Sequence, residues 1–125
     1  MTASRIVLCG GVPAPAGAHG EPLELNLHHH PNVNLKISDV SAAMGANLPD
    51  VLTDLLEVAA YVYCADQAVS RGGSRDTGKR YRRRYDFRIP VRVPSAWESP
   101  AVTSGLAETL TLLSDDEFSF TFSKL

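Results

Sequence analysis

Nine of the twelve basic residues in this 125-residue chain fall between Arg71 and Arg92. From Arg80 to Val93 they alternate with apolar side chains at the two-residue period of a strand. Tyr81, Tyr85, Phe87, Ile89, Val91 and Val93 share one face, with Arg83 the exception, and Arg80, Arg82, Arg84, Asp86, Arg88, Pro90 and Arg92 share the other. A guanidinium grips phosphate or carboxylate at two points and keeps its charge at every physiological pH. The spacing therefore predicts a contact face for an anion or a partner made of Arg82, Arg84, Arg88 and Arg92, with Arg71 and Arg75 on the neighbouring loop able to close over a ligand. The plainer expectation is a solvated strand whose arginines pair with nearby acids.

The charge is arranged in blocks: −5 over residues 1–70, +7 over 71–93 and −4 over 94–125. A dipolar chain is poorly suited to coating nucleic acid, because counterion-driven affinity needs several phosphates neutralised without acidic repulsion nearby. A nucleic-acid module with Tyr81 and Tyr85 as stacking groups is the alternative reading. Their place on the apolar face argues against it, since stacking aromatics must be exposed.

Other candidate chemistry is thin. His28, His29 and His30 are adjacent, so only His28 and His30 share a face of an extended chain, and a polar turn is expected rather than a metal site. The run Ser70-Arg71-Gly72-Gly73-Ser74-Arg75-Asp76-Thr77 echoes the SGGxDS pyrophosphate loop of ATP-pyrophosphatases. That mechanism needs a loop between a strand and a helix N-terminus, whereas these glycines follow a helix and precede a strand. Asp115, Asp116 and Glu117 read as a hydrated turn. Asp66 lies near an apolar helical stripe and is expected to pair with an arginine of the basic strand, fixing helix to sheet. No nucleophile elbow, HExxH or paired cysteines occur. Cys9 and Cys64 are expected to be free, buried small hydrophobes.

The elements that must position these residues follow from periodicity. A short strand covers Arg5 to Cys9, and loops are expected over 10–22 and 71–79. Leu23, Leu25 and Leu27, then Val33, Leu35 and Ile37, alternate with polar residues as a hairpin would. Pro49 or Asp50 to Ser70 has helical spacing, with Val51, Leu55, Val58, Val62 and Val69 as its stripe. After the basic strand, Trp97 serves as a structural residue and Ser99-Pro100 open a second helix. Phe118, Phe120 and Phe122 then alternate with Ser119, Thr121 and Ser123 as a last strand. The order β-β-β-α-β-α-β predicts one α+β domain over residues 1–125, a largely antiparallel sheet with two helices packed on one face. No apolar run approaches the length of a membrane span, and a cytoplasmic protein without membrane contact is expected.

Asp54 to Gly73, Arg84 to Pro94, Trp97 and Leu112 to Phe120 together resemble the N-terminal region that precedes the catalytic domain in bacterial QueC-like proteins. These are relatives of 7-cyano-7-deazaguanine synthase, including the QatC type of anti-phage defence operons. The resemblance spans roughly residues 33–122. It implies a non-catalytic accessory domain that docks a QueC-like catalytic domain or an operon-encoded partner, or holds an anionic substrate against it. ATP and zinc belong to that catalytic domain, whose SGGxDS loop and zinc cysteines this chain lacks. No cofactor and no catalytic residue is therefore expected here.

Overall fold

The computed structural model describes residues 2–18, 20–28, 31–33, 48–69 and 82–125. Its elements run β1 (Thr2–Cys9), β2 (Glu21–Leu25), α1 (Asp50–Ala68), β3 (Arg82–Val91), α2 (Pro94–Trp97), α3 (Pro100–Ser114) and β4 (Glu117–Lys124). The four strands form one sheet in the order β2-β1-β3-β4, and every neighbouring pair is parallel.

The expectation of a largely antiparallel sheet is thus overturned, although the small α+β character holds. Alternation of apolar and polar residues was the misleading signal. It reports that one face is packed and the other is polar, a pattern usual in antiparallel sheets but independent of strand direction. Direction is set by the connections: α1 carries the chain from β2 back to the start of β3, and α2 with α3 carry it from β3 to β4, as parallel pairing requires. The second strand expected at Val33 to Ile37 lies outside the described residues apart from Val33, which is buried in the core. Asn32 and Val33 donate their backbone N–H groups to Asn26 O at 2.9 and 3.0 Å, so the chain does turn back after β2.

The core lies on the odd-numbered face of β1 and β3. Val7 and Cys9 of β1, Tyr85, Phe87, Ile89 and Val91 of β3, and Phe122 of β4 pack with Val58, Tyr61 and Ala65 of α1 and with Trp97. Register pairs Tyr85 with Phe118 and Phe87 with Phe120, and these rings sit 5.3 and 5.2 Å apart between centroids. Trp97 packs tilted against Phe122, with ring centroids 5.2 Å apart. On the opposite face Ile6 and Leu8 are also buried, and residues 15–18 of the β1–β2 connection lie against Ser4 and Arg5 there.

Helix α1 exists where periodicity predicts it, but its first two turns depart from the expected stripe. Val58 and Val69 of that stripe are buried, while Val51 and Leu55 are 45% and 47% exposed and Thr53, Asp54 and Glu57 face inward instead. Two carboxylates therefore face the interior, and they decide how the end of β3 is held.

Candidate anion-binding site

Three clusters of charge surround β3. Arg83, the break in the alternation, is 2% exposed. Its Nε and Nη2 donate to Asp116 Oδ2 at 3.2 and 2.7 Å, Nη2 also donates to Asp66 Oδ1, and Nη1 donates to the carbonyls of Asp66 and Val69 at 3.1 and 2.6 Å. All five guanidinium N–H groups are committed. Burial works against the charge, but the hydrogen bonds to Asp116 and Asp66 outweigh it and raise the Arg83 pKa above the usual arginine value. This latch ties the end of α1 to β3 and to the entry of β4. The acidic run is accordingly no hydrated turn at Asp116, which is 0% exposed, because a buried guanidinium must have its counter-charge beside it.

At the other end of β3, Arg92 turns to α1. Its Nη1 and Nη2 donate to Glu57 Oε1 and Oε2 at 2.8 and 3.0 Å, and Asp54 accepts the backbone N–H groups of Arg92 and Val93 at 2.9 and 3.0 Å. The hydrogen bond to Glu57, against the opposing effect of burial, raises the Arg92 pKa further. His28 Nε2 meets Glu57 Oε2 at 2.8 Å. Sequence reasoning missed Asp54 and Glu57, because acids on an amphipathic helix are assigned to its wet side. The unpaired N–H groups at the end of a strand were the available clue.

The third cluster is the open one. On the even face of β3, Arg84, Asp86 and Arg88 line a trough of about 460 Å³ with Ser4 and Arg5 of β1, Ser119 of β4 and residues 15–18. Each arginine is held by one edge only. Arg84 Nε donates to Glu117 at 2.7 Å, Arg5 Nη1 sits 2.9 Å from Glu21, and Arg88 donates through Nε and Nη2 to Asp86 at 3.1 and 2.9 Å. Among the described residues nothing takes the remaining N–H groups of Arg84 and Arg88, which line the cavity beside the Asp86 carboxylate. Glu21 and Glu117 side chains are 70% and 37% exposed, and such surface pairs are worth at most about 1 kcal/mol, so an incoming anion can displace them.

Of the arginines read from the sequence, Arg84 and Arg88 thus stand in the trough, and Arg92 stands apart in the clamp. Arg71, Arg75 and the Arg82 side chain lie outside the described residues, as do Tyr81, His29, His30, Gly72 and Gly73. Tyr85, offered for base stacking, is 1% exposed and has no face to present. Cys9 and Cys64 are free, and burial pushes the Cys9 thiol far above its usual pKa, leaving it unreactive. Among the described residues no group of three His, Cys, Asp or Glu side chains could hold a metal ion, and no helix is long and apolar enough to cross a membrane.

No family model matches the chain, and neither the curated proteins nor the solved structures include a detectable relative. The likeness to the QueC-like N-terminal region rests on the motif residues alone.

Proposed function

We propose that this chain is a non-catalytic binding domain that receives a phosphate or carboxylate group in the trough on the open face of its sheet. The observation that carries the reading is the convergence of Arg84 and Arg88, each with N–H donors that no described residue takes, around one cavity. Ser4 and Ser119 add neutral hydroxyls, which suit an oxyanion of either kind. Two other described arginines are committed elsewhere: Arg83 has no donor left, and Arg92 is engaged with two buried acids. On the resemblance drawn from the sequence, the anionic group belongs to a QueC-like ATP-pyrophosphatase or to the substrate it handles.

The test is an amide chemical-shift titration with inorganic pyrophosphate and, separately, with an oligoglutamate peptide, at low ionic strength. Wild type should shift Ser4, Arg84, Arg88 and Ser119, and the response should weaken steeply with salt. The Arg84→Glu, Arg88→Glu double variant should lose it while keeping its unfolding midpoint. Equal shifts in wild type and the double variant, or none at these amides, would remove the trough as a binding site.

A further inference from the structure

We propose that β4 is a self-pairing edge, through which two copies of this chain join their sheets antiparallel about a two-fold axis at Phe120. Among the described residues the sheet has two edges, and they are built differently. β2 is five residues long and carries Glu21, Pro22 and Glu24, the charges and proline that blunt an edge against further pairing. β4 is eight residues long, reads EFSFTFSK, and has no proline and no charge between its ends. It is the unprotected edge.

Its hydrogen-bonding direction can be read. Leu125 N donates to Val91 O at 2.9 Å, and in a parallel pair alternate residues aim their backbone groups at opposite neighbours. Residues of Leu125's parity therefore face β3, and Phe118, Phe120, Phe122 and Lys124 point their N–H and C=O groups outward. Among the described residues, nothing accepts from or donates to these outward groups.

Two-fold symmetry then selects the register. An axis perpendicular to the sheet keeps each face on its own side, so Phe must oppose Phe and hydroxyl must oppose hydroxyl. Centred on Phe120, the pairing sets Phe120 against its own copy, Phe118 against Phe122 and Ser119 against Thr121, and the outward backbone groups of the Phe pairs meet. Aromatic pairs directly across strands are among the favourable ones. The charges agree, because antiparallel pairing brings the Glu117 end of one strand to the Lys124 end of the other, whereas parallel pairing would set like on like.

Helix α3 points the same way. It lies over β4 yet has no buried residue, and Leu112 and Leu113 are 84% and 77% exposed. In the joined sheet the two α3 helices flank the seam on one side, and the two arginine troughs fall together on the other. A partner bearing several acidic groups could then span both.

Sedimentation velocity on the ligand-free protein tests this directly. Wild type should sediment as a dimer at high micromolar concentration. Ser119 and Thr121 are exposed, so Ser119→Glu with Thr121→Glu, and Ser119→Lys with Thr121→Lys, should each fold and each lose the dimer. An equimolar mixture of the two variants should restore it as a heterodimer. A monomeric wild type, variants that still dimerise, or folded variants whose mixture stays monomeric would each overturn the proposal. None of these readouts depends on whether the trough binds an anion.

Discussion

Arg83 shows how far a single residue could be read. Its break in the strand's alternation and the position of Asp66 near an apolar stripe both pointed to a charge pair between helix and sheet. Asp116 did not, because three successive acids in a turn normally stay in water. The geometry makes the two partners unequal. Asp116 is wholly enclosed, whereas the Asp66 side chain is 48% exposed. Arg83→Met removes the guanidinium enclosed between α1 and Asp116 and breaks a buried ion pair, which should cost about 3–5 kcal/mol in urea unfolding. Asp66→Asn removes only a half-solvated partner and should cost about 1 kcal/mol or less. Equal losses would mean that Arg83 is held by its carbonyl contacts, not by the Asp116 carboxylate.

Elements were legible as types and poorly legible as orientations. The 3.6-residue spacing located α1, and the two-residue spacing located β3 and β4, since both report local geometry. Which face of α1 is buried depends on what it meets, and here it meets the free N–H groups at the end of β3, which call for Asp54 and Glu57 to turn inward. Val51 and Leu55 at the start of the expected stripe are left outside as a consequence, while Val58 and Val69 stay buried. Val51, Leu52 and Leu55 line an apolar cavity of about 260 Å³ with Trp97 and Val102. This packing has a measurable signature. Val58→Ala, at a position 2% exposed, should cost about 2 kcal/mol, and Leu55→Ala, at nearly half exposure, well under about 1 kcal/mol. The reverse order in thermal or urea unfolding would place Leu55, not Val58, against the core.

At the scale of the molecule, strand direction was invisible because it is fixed by where connections run, and local periodicity carries no record of that. The parallel order β2-β1-β3-β4 creates a switch point between β1 and β3, the place where open α/β sheets usually take ligands at their carboxyl ends. In this chain the place is filled from within. Gly10 stands there at φ +61°, where a Cβ would come within 2.7 Å of Pro90, and Tyr61, Glu57 and Arg92 occupy the rest, leaving the open sheet face as the free surface. Tyr61 links this filling to pH. Burial first, then the neighbouring Cys9 and Glu57, raise its phenol pKa well above the ordinary value near 10. A group whose folded pKa is raised stabilises the fold fully below its unfolded pKa, and that contribution is lost as pH rises through the folded pKa. Wild type should therefore lose stability steeply above about pH 10, whereas Tyr61→Phe, which has no phenol to ionise, should show a flatter decline. Urea midpoints measured from neutral to alkaline pH decide it: parallel curves for the two proteins would mean that Tyr61 already ionises in the folded state and that the switch point is open to water.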